Sequence, residues 1–176
     1  MMLARLTVLA LIAAAVPAGA QYRGPDPKVS IERIKVLDRM VGTWQAKGWI
    51  DQSGRESFIS TETVARELDG TLLTIRGLHR DAANTQRIVH NTLGIISWDQ
   101  AAQRYGFRAY LATGQNSDFT LTATDTGFAW TMDAGPARIR YNATVTATSW
   151  IEDGERSLNG GKSWTPFFHM ELAKTK

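Results

Sequence analysis

Apolar side chains recur at helical spacing only once in this chain. Ile31, Ile34, Leu37, Met40 and Val41 fall every three or four residues, with Glu32, Arg33, Lys35, Asp38 and Arg39 between them. That pattern predicts a short amphipathic helix, opened by Ser30 as N-cap and stopped at Gly42. A helix of this length is not stable alone, so its apolar face must dock on something larger. From Thr43 onward the period becomes two. Strands are predicted over 43–50, 55–66, 71–78, 91–98, 104–111, 119–124, 128–132, 137–146, 149–155 and 163–173, about ten in all. Turn residues separate them: Gln52-Ser53-Gly54, Asp69-Gly70, Thr113-Gly114-Gln115-Asn116, Asp125-Thr126-Gly127 and Gly135-Pro136. The segment 79–88 is polar and reads as a loop. This spacing argues for an antiparallel sandwich or an up-and-down barrel, and closure into a barrel removes exposed sheet edges. No internal repeat supports a propeller.

The N-terminus carries a different signal. Met1–Arg5 holds one positive charge, 6–16 is apolar, and Pro17-Ala18-Gly19-Ala20 ends in an A-x-A pattern. This predicts a signal peptide over 1–20, a tether over 21–29 and one barrel domain over 30–176, placed in the periplasm or secreted. The apolar run is shorter than the roughly 20 residues a membrane span needs, so no membrane association is expected after cleavage. The chain has no cysteine, so the exported domain must be stabilised by burial alone. Its net charge of +3 is dispersed without a Lys/Arg run, which argues against a nucleic-acid partner.

Candidate chemistry is sparse. Ser157-Leu158-Asn159-Gly160-Gly161-Lys162-Ser163-Trp164 resembles the Asp-box, S-x-D-x-G-x-T-W, and reads as a structural hairpin. His169 lies on the last strand, where nitrobindin-type barrels ligate haem iron. Period two groups Trp164, Phe168, Met170 and Leu172 on the inward face and turns Phe167, His169 and Glu171 outward. His79 and His90 flank the polar loop without metal-ligand spacing, so neither a metal nor a cofactor is expected. There is no Gly-x-Ser-x-Gly, and no catalytic residues can be assigned. Arg76, Arg108, Tyr110, Arg140 and Tyr141 sit within strands. Plain alternation turns Arg108, Tyr110 and Arg140 outward. If instead Arg108 and Tyr110 face inward, they could grip a carboxylate inside a cavity. Tyr141 shares the apolar face of Ile139 and is a pocket candidate either way.

Several segments together resemble a bacterial family of lipocalin-like (calycin-type) domains of unknown function. They are Gly42-Thr43-Trp44, Leu93–Asp99, Tyr105–Tyr110, Gly127-Phe128-Ala129-Trp130 and Asn159–Phe168. The resemblance implies an all-β, antiparallel up-and-down barrel with a short N-terminal helix, and Trp44 at its floor. It supplies no settled activity. The expected function is the holding of a small, apolar or amphipathic ligand in the barrel. The expected ligand-binding residues are Trp44, Arg108, Tyr110, Phe128, Trp130, Tyr141, Phe168 and Met170. One alternative is a barrel enzyme acting on an acidic or phenolic substrate, resembling phenolic-acid decarboxylases, with Arg108, Tyr110 and Glu62 as its acid–base trio. Others are a haem-binding barrel and an envelope interaction protein presenting Trp49 or Trp98.

Overall fold

Asp26 and Pro27 start the helix. The Asp26 carboxylate accepts the backbone N–H of Lys28 at 2.9 Å, and Pro27 occupies the first turn, where a missing N–H costs nothing. Helix α1 therefore spans Pro27–Lys35. It begins ahead of the expected cap, and the Ser30 hydroxyl instead accepts from Gln100 Nε2 at 3.1 Å. The computed structural model describes residues 24–50 and 56–175. The expected signal peptide and the Gln52-Ser53-Gly54 turn lie outside the described residues.

Beyond α1 the chain tightens into a 3-10 turn at Asp38–Met40. Leu37 N–H bonds to Ile34 O at 2.9 Å and Met40 N–H to Leu37 O at 3.0 Å. This tightening turns Ile34, Leu37 and Met40 onto one side, where all three are buried. Each such burial contributes roughly 1.5–3 kcal/mol, which is what holds so short a helix in place. Gly42 then takes a φ of 140°, open to glycine, and turns the chain into the first strand.

Ten strands follow: β1 (Gly42–Ile50), β2 (Phe58–Glu67), β3 (Leu72–Asp81), β4 (Ile88–Asp99), β5 (Arg104–Leu111), β6 (Asn116–Ala123), β7 (Gly127–Ala134), β8 (Ala137–Val145), β9 (Ser149–Ser157) and β10 (Thr165–Lys174). Each pairs antiparallel with its sequence neighbours, and β1 pairs with β10 from Trp44–Lys174 to Ile50–Phe168, closing the barrel. The expected all-β up-and-down barrel is the observed fold.

One end is sealed. Trp44 is fully buried there, its indole N–H donates to Met40 O at 2.8 Å, and its ring meets Trp150 edge-on at 5.9 Å. Val64, Leu73, Ile96, Val145 and Leu172 complete this floor under α1. Tyr105 Oη donates to Arg33 O at 2.8 Å and Arg33 lies over Trp98, fastening α1 across the strand ends. The other end is open. There β6 and β7 pair only over Thr120–Ala123 and Phe128–Thr131, so Asn116–Phe119 parts from Met132–Ala134.

Two strands depart from simple alternation. The segment 79–88, expected as a loop, is a loop only over 82–87, because β3 continues to Asp81 and β4 starts at Ile88, with a bulge between His79 and Arg80. A second bulge between Pro166 and Phe168 shifts the register of β10. It brings Phe167 against Tyr141 at 5.6 Å, on the same side as Phe168, and leaves Trp164 beneath the Arg140 guanidinium at 4.1 Å. Both Phe167 and Trp164 therefore face opposite to the alternation read from sequence.

Candidate functional site: an acidic hollow in the open half of the barrel

The inward positions of the open half do not fill it. A hollow of about 300 Å³ is walled by Phe58, Ile75, Phe107, Phe128, Trp130, Tyr141, Trp150, Phe168 and Met170, with Ile50, Val89 and Phe167 towards the mouth. A second hollow of about 570 Å³ shares Trp130, Tyr141 and His90 and extends to Ser117, Phe119 and Met132, where β6 and β7 part. These volumes fall within the range of small-molecule sites, about 300–1,000 Å³. Trp130 and Tyr141 are stacked face to face, 3.9 Å between centroids and 6° between planes. Tyr141 has room because its partner across the β8–β9 pair is Gly154, where a β-carbon would fall 2.7 Å from the ring.

Apart from Tyr141, the ionisable groups of this hollow are acids and histidines. Glu62 is 4 % exposed, and its Oε1 accepts from Ser60 Oγ at 2.8 Å and from His79 Nε2 at 2.9 Å. Its strand partner is Gly77, and a β-carbon there would lie 2.7 Å from Oε2 and 2.9 Å from Oε1. The wall is cut back to seat this carboxylate. His79, 8 % exposed, is the partner of His90 across β3 and β4, and the rings meet edge-on at 5.3 Å. Burial holds the His90 pKa below the ordinary histidine value, His79 lowers it further, and Glu62 opposes both. His90 is thus mainly neutral at neutral pH.

Glu152 enters from β9. It is 6 % exposed and accepts the Trp130 indole N–H at 2.8 Å. Burial raises its pKa to about 7; the Trp130 hydrogen bond opposes the rise, while the charges of Glu62 and Asp153 add to it. Burial and the Glu152 charge also raise the Tyr141 phenol, which stays protonated.

Of the residues expected to bind ligand, Phe128, Trp130, Tyr141, Phe168 and Met170 line the hollow. Trp44 lies below it in the sealed floor. Arg108 and Tyr110 lie on the outer surface. The Arg108 side chain is 48 % exposed, and its guanidinium holds both oxygens of Asp118 at 2.6 Å. Alternation decides this: Phe107 and Ala109 take the inward positions of β5 and leave Arg108 and Tyr110 the outward ones. The trio Arg108, Tyr110 and Glu62 is therefore not assembled, and among the described residues no arginine lines the hollow. His169 also faces out, stacked on Trp49, with Nδ1 2.7 Å from Asp153 Oδ1 and Nε2 3.3 Å from Glu171 Oε1. Among the described residues no cluster of three His, Asp or Glu side chains has a metal-holding arrangement. His79, His90 and Glu152 were absent from the expected site. For the two histidines the signal was parity: Leu73, Ile75, Gly77 and His79 are one face of β3, and His90, Thr92, Gly94 and Ile96 one face of β4.

The Ser157–Ser163 segment lies in the hairpin connection between β9 and β10. Ser157 Oγ donates to Asn159 Oδ1 at 2.9 Å, Ser163 N–H donates to the same oxygen at 2.9 Å, and Gly160 and Gly161 take positive φ.

No protein-family model matches the chain, and no curated protein matches it in sequence. Its fold is shared with solved structures. The crystal structure of Rv2717c from M. tuberculosis superposes with a TM-score of 0.58 at 10% identity, over 81% of this chain and 97% of that one. The S-type phycobiliprotein lyase CpeS from Guillardia theta superposes with a TM-score of 0.55 at 10% identity, over 87% and 99%. Both are calycin-like ten-strand barrels, and at this identity the likeness is one of fold.

Proposed function

We propose that this chain is an exported binding protein whose barrel holds a small, mainly apolar ligand in the hollow of its open half. The observation that carries the reading is the wall itself. Phe58, Phe107, Trp130, Tyr141 and Phe168 converge on unfilled space, in a closed barrel wide enough to hold one small ligand. Aromatic walls bearing a few placed polar groups are the usual construction of small-molecule sites. The calycin-like fold supports the reading, since it leaves one end of the barrel accessible. The relation to lipocalin-like domains of unknown function and the periplasmic or secreted location are parts of the same proposal. They rest on the Gly42-Thr43-Trp44 segments and the A-x-A leader respectively.

Native mass spectrometry of the protein purified from the periplasmic fraction, without refolding, tests this. A constant extra mass that is lost on denaturation is the expected result. A bare polypeptide mass, together with no uptake of an apolar fluorescent probe, would overturn the reading. Recovery of the chain from the cytoplasm with residues 1–20 intact would overturn the location.

A further inference from the structure

Among the described residues, the ionisable side chains on the walls of the two hollows are Glu62, Glu152, His79, His90 and Tyr141, with no lysine or arginine. The arginines of the strands lie elsewhere. Arg108 is paired with Asp118, Arg138 with Asp133 and Arg140 with Glu155, all on the outer surface. Arg156 has the inward parity of β9 but sits beyond Gly154 at the open end, exposed. A cavity lined in this way repels anions. A carboxylate or phosphate entering it would lose its hydration beside two buried carboxylates, with His79 already engaged by Glu62 and no lysine or arginine among the described wall residues to compensate, at a cost of several kcal/mol.

We propose that the ligand carries a cationic nitrogen group on its apolar body, and that Glu62 and Glu152 receive that group inside the barrel. The inference rests on the binding reading above and names the chemistry of what is bound.

Three features support it. The Glu62 carboxylate is positioned in advance, held by Ser60 and His79 and seated in the space left by Gly77. Preorganised acceptors of this kind cost little to bring to a ligand. Glu152 is buried among aromatic rings with Trp130 Nε1 as its hydrogen-bond donor, and the charge of Glu62 reaches it. A cation between the two carboxylates would relieve their repulsion and stabilise the ionised form of Glu152. The walls also suit a cation, since the faces of the stacked Trp130–Tyr141 pair and of Phe107 are electron-rich surfaces in a desolvated site.

Three naphthalene derivatives of one shape and different charge test the proposal: naphthylmethylamine, naphthylacetate and uncharged methylnaphthalene. Binding to the purified protein at neutral pH is read by quenching of tryptophan fluorescence and by calorimetry. The expected order is amine, then hydrocarbon, then carboxylate, with the amine at least about tenfold tighter than the carboxylate. Glu62→Gln and Glu152→Gln should each reduce amine affinity towards that of the hydrocarbon, so that the ratio of amine to hydrocarbon affinity falls towards one. The amide oxygen introduced by Glu62→Gln can still accept from Ser60 and His79, and thermal unfolding of both variants checks that the fold is retained. An amine that binds no tighter than the hydrocarbon would overturn the cation proposal and leave the binding reading standing. Preference for the carboxylate would also overturn it and would point to Arg156 at the mouth. If none of the three binds and native mass spectrometry shows no retained ligand, both inferences fall.

Discussion

Glu62 and Gly77 are partners across β2 and β3, and both carboxylate oxygens of Glu62 occupy the space that a β-carbon at position 77 would fill. Gly77→Ala should therefore push Glu62 off its seat and break its hydrogen bonds to Ser60 and His79. The expected loss is about 1–3 kcal/mol of stability, the usual cost of leaving a buried polar group without its partners. In a Glu62→Ala background the same substitution should cost much less. Denaturant unfolding of the four proteins measures the coupling. Equal costs in both backgrounds would show that Gly77 is not kept small for the carboxylate.

Much of this site was legible along the chain, and the part that was not has a physical reason. Phe128, Trp130, Tyr141, Phe168 and Met170 were found because apolar residues at alternate positions must share one face. The same rule assigns charged residues to the outside, and it placed Arg108 and Tyr110 there correctly in the plain alternation. It fails for Glu152, whose inward position is set by its neighbours Trp150 and Gly154 on the same face. Glu62 entered only as a partner of Arg108 and Tyr110, from which the barrel wall separates it. His79 and His90 flank a polar segment, so hydropathy assigns neither a strand face, although β3 runs on to Asp81 and β4 starts at Ile88. Phe167 and Trp164 were misassigned by the bulge at Pro166/Phe168, which leaves no trace in hydropathy. The inward glycines were the overlooked clue, since Gly77 and Gly154 each make room for a large or charged neighbour.

Tyr141 stacks on Trp130 and faces the hollow, and Gly154 behind it leaves no other side chain to take its place. Tyr141→Ala should enlarge the hollow, cost about 3–5 kcal/mol of stability, and weaken retention of an apolar probe by an order of magnitude or more. Tyr141→Phe keeps the stacked ring and should retain the probe nearly as well as the original protein. Titration of both variants with methylnaphthalene separates the ring from the hydroxyl. Unchanged binding in Tyr141→Ala would remove this residue from the site.

His169 lies on the outer face with Asp153, Glu171 and Trp49 around it. His169→Ala should leave the retained mass and probe binding unaltered, with only a small change in stability, as expected for partly exposed pairs. Native mass spectrometry of the variant checks this. Loss of a bound group on this substitution would mean that the outer face holds the ligand.

Glu152 gives the barrel a pH dependence whose sign is fixed by burial. Its pKa is about 7 in the folded protein and 4.5 as the ordinary value, so between these the folded state binds a proton that the unfolded chain releases. The stabilisation linked to that proton is fully present below about pH 4.5 and is lost as the pH rises through about 7. It amounts to roughly 3 kcal/mol in the protein without ligand. The residues directly across from Glu152 on β8 and β10 are Ala143 and Met170, neither of which titrates. The ionisable groups that shape the transition are Glu62 across the hollow, which is paired with His79, Asp153 on the outer face and the protonated Tyr141 phenol. Glu152→Gln should flatten this part of the stability–pH curve, whereas Trp130→Phe removes an N–H that favours the carboxylate and should move the transition to higher pH. Denaturant midpoints across the range provide the measurement. A Glu152→Gln curve parallel to that of the original protein would mean that Glu152 does not titrate in this window. A cationic ligand should counter the loss at high pH, since it holds Glu152 ionised, so the protective effect of naphthylmethylamine should grow from pH 6 to pH 8.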